Sequence, residues 1–283
     1  MKRLAHGFFI QALLALSVNC SFVYAWAEPS MESANQERRI ALVIGNANYA
    51  IGPLKNPVND ARAMSATLKD LGFAVIVREN ASVSTMLDVI REFALKAKYH
   101  QVRLFYYAGH GVQVKGKNYL IPVDADIQSE DDIPAKSADM TELLERLGQL
   151  QNGLNMVILD ACRNNPFANP TLVGPDGRLV RFRGKVQSGL AQLDAPQGTL
   201  VAFSTAPGAI ALDGSFSNSL YTKHLLANIQ VPGLPIEQLF KRVRIAVTQE
   251  TKRLQVPWES SSLMGDFCFK TNADGKCIAQ TGR

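Results

Sequence analysis

The feature that most constrains this chain is a strict alternation between short apolar runs, often closed by glycine, and longer stretches with helical spacing. Arg39-Ile40-Ala41-Leu42-Val43-Ile44-Gly45 holds no polar residue between its ends, which predicts a strand buried on both faces, as strands of parallel sheets are. Residues 57–71 follow with Ala61, Met64 and Leu68 on one stripe, Pro57 in the first turn and Gly72 as a stop, the signature of a helix. The alternation continues with strand 73–77, helix 82–98 through Met86, Val89, Ile90 and Phe93, and strand 102–107. Beyond it come helix 137–150, strands 155–159 and 199–204, and helices 217–228 and 235–252. Joined by right-handed crossovers, these elements give an α/β fold with a mostly parallel sheet covered by helices on both faces. Ligands of such sheets sit outside the carboxyl ends of the strands, so the chemistry is sought there.

Of the 283 residues, 47% are hydrophobic and 19% charged, enough apolar material for one sizeable core, and a single domain is expected. Met1-Lys2-Arg3, an apolar run over 8–18 and Ala25-Trp26-Ala27 before Glu28 read as a signal peptide cut after Ala27, giving an exported, periplasmic or secreted protein. Gln11, Ser17 and Asn19 interrupt the run, which falls short of the roughly 20 residues of a spanning helix, so no stable membrane span is expected in the mature form. Ser17-Val18-Asn19 is a poor match to the small apolar residues that precede a lipidated cysteine, here Cys20. Cleavage removes Lys2 and Arg3 and no acid, lowering the formal charge from +5 to +3. With no basic run interleaved with stacking aromatics, no nucleic-acid partner is expected.

The mature chain keeps Cys162, Cys268 and Cys277, an odd number for an oxidising compartment. Cys268 and Cys277 flank the turn sequence Asn272-Ala273-Asp274-Gly275 and can close a small loop, leaving Cys162 as the lone thiol. The third predicted strand runs out as Phe105-Tyr106-Tyr107-Ala108-Gly109-His110-Gly111, the next as Val157-Ile158-Leu159-Asp160-Ala161-Cys162-Arg163. If these two strands are neighbours, an imidazole and a thiol share one rim. That pair suits nucleophilic catalysis, because the thiolate attacks, a nearby imidazolium stabilises it, and the same ring later protonates the leaving amine. Of the other mature histidines, His100 lies in a connection and His224 inside a predicted helix, so only His110 ends a strand.

Tyr107-Ala108-Gly109-His110-Gly111 and Leu159-Asp160-Ala161-Cys162-Arg163, 52 positions apart from His110 to Cys162, closely resemble the histidine and cysteine motifs of caspases, metacaspases and bacterial caspase-like peptidases. The resemblance runs from Arg39 to about Phe267 and includes Asn56-Pro57-Val58-Asn59-Asp60-Ala61 and Pro257-Trp258-Glu259. It implies a caspase-like three-layer sandwich and a thioester mechanism with His110 and Cys162 as catalytic residues. It also implies an oxyanion hole from the backbone amides of Gly111 and Cys162. Caspases hold an arginine and a glutamine for an aspartate side chain; here Asp60 and Asp160 stand at those positions, which implies cleavage after arginine or lysine. Ser204, ending a later strand, is expected to line the substrate groove. Trp258 is either a wall of that groove or core. The insertion over 164–198 carries Arg178, Arg181, Arg183 and Lys185, and such an enzyme could cut itself there.

No cofactor is expected; some metacaspases need calcium, but Glu130-Asp131-Asp132 matches no EF-hand spacing. The expected organisation is a signal peptide over 1–27, a linker over 28–38, a peptidase domain over 39–270 and a tail over 271–283 with the Cys268–Cys277 loop. Partners are protein or peptide substrates with basic residues, and the sequence assigns no oligomeric state. Two other readings stay open: a non-catalytic scaffold on the same fold, and an exported cysteine amidase acting on cell-wall peptides.

Overall fold

The long apolar runs of the sequence become strands of one sheet. The structure, a computed structural model, describes residues 38–150, 152–161, 172–173, 179–180, 189–209, 211 and 217–278. Cys162, the expected signal peptide and nearly all of the linker and the 164–198 insertion's basic residues lie outside the described residues. Strands β1 (Arg39–Gly45), β2 (Phe73–Glu79) and β3 (Val102–Ala108) are followed by a hairpin of β4 (Gly111–Val114) and β5 (Lys117–Leu120). Then come β6 (Ala138–Asp139), β7 (Leu154–Asp160), a short ribbon of β8 (Leu172–Val173) and β9 (Leu179–Val180), β10 (Thr199–Phe203) and β11 (Trp258–Ser261). The helices are α1 (Pro57–Asp70), α2 (Val83–Ala97), α3 (Met140–Gly148), α4 (Leu220–Ile229) and α5 (Ile236–Glu250).

The main sheet has the order β11-β10-β7-β3-β1-β2, parallel throughout except for β11, which pairs antiparallel with β10 at one edge. β3 and β7 are adjacent, and their register sets Ala108 opposite Asp160. One face buries Met64, Leu68, Tyr221, Leu225, Phe240 and Val243, from α1, α4 and α5. The other buries Met86, Val89, Phe93, Leu143 and Leu147, from α2 and α3. This is the predicted three-layer sandwich. Each such fully buried aliphatic or aromatic side chain contributes about 1.5–3 kcal/mol, which is why the apolar runs were readable as strands.

The pleat sends neighbours on a strand to opposite faces. On β3, Leu104, Tyr106 and Ala108 face α1 and α4, while Phe105 and Tyr107 face α2 and α3. At the end of β1 a Cβ on Gly45 would stand 2.3 Å from Pro57 O, so only glycine lets α1 begin this close to the strand. Cys268 and Cys277 are joined by a disulfide with their Cα atoms 5.6 Å apart. Among the described residues no helix is long and apolar enough to cross a membrane.

Candidate functional site

β1, β3, β7 and β10 are parallel, so their carboxyl ends share one rim. The order also reverses here: β2 lies on one side of β1 and β3 on the other, the arrangement that opens a crevice in α/β sheets. The loop after β1 is fastened across that crevice by two asparagines. Asn46 donates from Nδ2 to Ile121 O (3.2 Å) and accepts from Ala81 N (2.9 Å). Asn80, at φ +50°, accepts from both Ala47 N and Asn48 N at 3.0 Å. Asparagine tolerates that left-handed conformation better than most residues.

The loop delivers Tyr49 and Gly52 to His110, which follows β3 and is buried. Gly52 O lies 2.6 Å from His110 Nε2. A carbonyl can only accept, so Nε2 carries the proton and, in the neutral ring, Nδ1 holds the lone pair. Nδ1 is itself buried. The main chain of His110 is held as well: its N–H donates to Tyr49 Oη (2.9 Å), and its carbonyl accepts from Tyr107 Oη (2.8 Å). Tyr49 also packs its ring on the imidazole, centroids 4.4 Å apart at 54°. A Cβ on Gly109 would lie 2.6 Å from both phenol oxygens, so that position excludes any side chain. Burial, and next the neighbouring Tyr49, pushes the Tyr107 phenol well above its ordinary range, keeping it a donor.

The nucleophile candidate Cys162 stands two residues beyond the end of β7 in the sequence. Ala108 is paired with Asp160, Gly109 N donates to Asp160 O (3.3 Å), and a Cβ built on Gly111 would be 3.2 Å from Ala161 Cβ. His110 stands two residues beyond Ala108 and Cys162 two beyond Asp160. The described part of the rim thus brings Gly111 against Ala161, the residue before Cys162.

Asp60 and Asp160 are fully buried and converge on one residue, Ser219, the N-cap of α4. Asp60, in the first turn of α1, accepts at Oδ1 from Ser219 N and Asn218 Nδ2, both at 2.9 Å. Asp160 accepts at Oδ2 from Ser219 Oγ and, at 3.0 Å, from Thr222 Oγ1. Tyr106 Oη lies 2.6 Å from Thr222 Oγ1. Because the Thr222 proton goes to the carboxylate, Tyr106 is the donor there. The two carboxylates are held by hydroxyls, an amide and the amino terminus of α4.

Ser204, expected in the groove, is fully buried, with Oγ donating to Ala161 O (3.1 Å) and its carbonyl accepting from Gln255 Nε2 (2.8 Å). It braces the backbone next to Cys162 rather than offering its hydroxyl outward. Trp258 is 43% exposed on the edge strand β11, so it is not core. Glu130-Asp131-Asp132 is a short 3-10 turn whose Asp132 carboxylate is engaged by Gln128 N, Ser129 N and Ser129 Oγ. Among the described residues no group of His, Cys, Asp and Glu could hold a metal ion. A cavity of about 520 Å³ among Gln101, Leu154, Gln197, Gly198 and Met264 lies at the opposite, amino-terminal edge of the strands, so size alone does not mark the site.

Sequence reasoning singled out no role for Tyr49, Gly52, Tyr107 or Ser219. Gly52 acts through its carbonyl and carries no side-chain signal. Tyr107 was in view inside the histidine motif, and Asn218-Ser219 before an amphipathic run is a helix-capping signal.

The sequence model of the caspase domain family matches residues 38–268. The mucosa-associated lymphoid tissue lymphoma translocation protein 1 of Homo sapiens is 33% identical over 137 residues, 47% of this chain and 16% of that protein. Caspase-1 of Mus musculus is 24% identical over 230 residues, 77% of this chain and 56% of that protein. Caspase-1 of Sus scrofa is 24% identical over 260 residues, 82% of this chain and 60% of that protein. The chain therefore spans 16% to 60% of the length of these relatives.

Proposed function

The chain belongs to the caspase domain family, and from that membership we propose that it is a cysteine endopeptidase cutting after arginine or lysine, with Cys162 as nucleophile and His110 as base. His110 Nδ1 takes the thiol proton and the sulfur attacks the scissile carbonyl. The oxyanion is held by the amides of Gly111 and Cys162. Collapse breaks the C–N bond, the amine leaves with the proton from His110, and a thioester remains. Water, deprotonated by the same ring, hydrolyses the thioester and restores the thiol. No cofactor enters these steps.

One observation carries this reading: the rim that holds His110 Nε2 on Gly52 O also gathers Asp60 and Asp160 onto Ser219. A base and a twin-carboxylate receptor for a cationic side chain at one end of one sheet support peptide cleavage after arginine or lysine. Arginine is favoured, since its planar fork meets carboxylates bidentately. The test is turnover of three fluorogenic peptides that differ only in arginine, lysine or aspartate before the reporter. Expected is arginine at or above lysine, aspartate at background, and loss of turnover in Cys162→Ala and His110→Ala. Preference for aspartate, or turnover that survives Cys162→Ala, overturns it.

We also propose that residues 1–27 are removed on export and that the enzyme cuts its own 164–198 insertion. Equal intact masses for wild type and Cys162→Ala after incubation would remove self-processing.

A further inference from the structure

His110 sits between two glycines, which leave the main chain unusually free, so a base that must hold one position needs an outside restraint. Its backbone N–H goes to Tyr49 Oη at 2.9 Å and its carbonyl takes Tyr107 Oη at 2.8 Å. The two phenol oxygens are 3.2 Å apart, and both reach Ile121 O, at 3.2 and 3.0 Å. We propose that Tyr49 and Tyr107 form a phenol clamp that positions His110 through hydrogen bonds to the histidine's main chain.

The protons of the network fit this assignment. Each phenol has one. Tyr107 gives its proton to His110 O, the shorter of its two carbonyl contacts. Tyr49 receives the His110 N–H and gives its own proton to Ile121 O or to the Tyr107 oxygen. The His110 N–H is thereby satisfied by a side chain, and its carbonyl by a side chain together with Ile121 N at 3.0 Å. Phenylalanine would fill the same volume at 49 and 107, but without the oxygens that reach His110. A buried phenol usually finds a hydrogen-bond partner, and the partners here are the histidine's own N–H and C=O. Gly109 belongs to the device, because any side chain there would collide with both oxygens. Tyr49 and the ring acceptor Gly52 come from one loop, so that loop holds both the N–H and the ring of His110.

The inference rests on the reading of His110 as the base of Cys162, and its test separates the two. The rate of Cys162 alkylation by iodoacetamide is measured against pH in wild type, His110→Ala, Tyr49→Phe and Tyr107→Phe, with Cys162→Ala as background, alongside thermal melting and peptide turnover. Wild type should alkylate readily below the ordinary thiol range, and His110→Ala should lose that reactivity. Tyr49→Phe should fall between them, roughly tenfold slower at pH 6. Its kcat should drop by a similar factor while KM stays within about twofold. Should Tyr49→Phe not fold, Tyr107→Phe carries the same readout, since it keeps the His110 N–H bond to Tyr49 and removes the phenol donor to His110 O, leaving Ile121 N as that carbonyl's donor. Phenylalanine variants that melt lower but keep the wild-type alkylation profile and kcat would show the tyrosines to be packing alone, refuting the clamp. Coincident wild-type and His110→Ala profiles would instead remove the base assignment beneath it.

Discussion

Ser219→Ala is the sharpest perturbation of the acidic pair, because it strips one hydroxyl and leaves the main chain alone. Ser219 makes three contacts that matter. Its N–H donates to Asp60 Oδ1, its Oγ–H donates to Asp160 Oδ2, and its Oγ accepts from Thr222 N at 3.0 Å as the N-cap of α4. Alanine keeps the first and loses the other two. An N-cap is worth about 1 kcal/mol, and a hydrogen bond to a buried carboxylate about 1.5–3 kcal/mol. The two losses share one oxygen, so they are not independent, and a total of about 2–3 kcal/mol is expected. For a domain of this size that is a fall in Tm of about 5–10 °C.

Activity should fall selectively. Asp160 keeps Thr222 Oγ1 but loses its second tether, while Asp60 keeps its backbone donor. The proposed receptor therefore loosens on one side, and kcat/KM for an arginyl peptide should drop by about tenfold, a cost of about 1.4 kcal/mol. Arginine should lose more than lysine, because bidentate geometry demands that both carboxylates stay fixed. Ser219→Thr retains the hydroxyl and should restore most of both losses. Calorimetry and turnover of the two peptides decide it: a variant melting within about 1 °C of wild type, with arginyl turnover intact, contradicts the account of Ser219 as the tie between the carboxylates.

Arg103 is fully buried on β3, donating to Ala97 O, Asn155 Oδ1, Asn152 O and Asn152 Oδ1, so Arg103→Lys, which cannot reach that fan of oxygens, should cost about 2–4 kcal/mol in chemical denaturation. Tyr221 Oη is buried with no hydrogen-bond partner among the described residues, so Tyr221→Phe should be neutral or stabilising by about 1 kcal/mol in the same assay. The amide of Gln128 and then the hydroxyl of Ser129 hold the Asp132 carboxyl below its ordinary value of 3.8. A depressed folded-state value gives stability that is present above the unfolded value and lost as pH falls through the folded one. The stability gap between wild type and Asp132→Asn should accordingly be open at pH 6 and close below about pH 4, followed by melting across that range.

The strands that carry the site were legible because burial on both faces leaves a run with no polar interior, as in residues 39–45. The hairpin of β4 and β5 has a partial sequence signal, since Val112-Gln113-Val114 alternates before Lys115-Gly116, whose φ angles of +51° and +79° are those of a two-residue hairpin turn, but Lys117-Asn118 breaks the alternation on the second strand. β11 left little trace, since Trp-Glu-Ser-Ser at a sheet edge needs no apolar run. Helix α3 begins at Met140 rather than near Ser137, because Asp139 Oδ1 caps it at Thr141 N and Ala138–Asp139 pairs with β5. In the site, His110 and the acidic residues could be named from spacing and resemblance. What holds them could not, for Gly52 acts through a carbonyl and Ser219 through a tertiary meeting of α1, β7 and α4.

Two adjacent tyrosines separate the tasks of the site. Tyr106 points to the α4 face and runs through Thr222 to Asp160, whereas Tyr107 points to the α2 face and holds His110 O. On the proposed function, the period of two along a strand puts substrate selection on one face of β3 and placement of the base on the other. The consequence is separable chemistry. Tyr106→Phe should weaken the preference for arginine by about threefold, roughly the worth of one neutral hydrogen bond one step removed, and leave the pH profile of Cys162 alkylation as in wild type. Tyr107→Phe should do the reverse. In the double variant the two free-energy losses should add to within about 0.5 kcal/mol if the two faces act independently. A clear departure from additivity in kcat/KM would mean that the sheet couples the two faces, and that selection and proton transfer are not built independently.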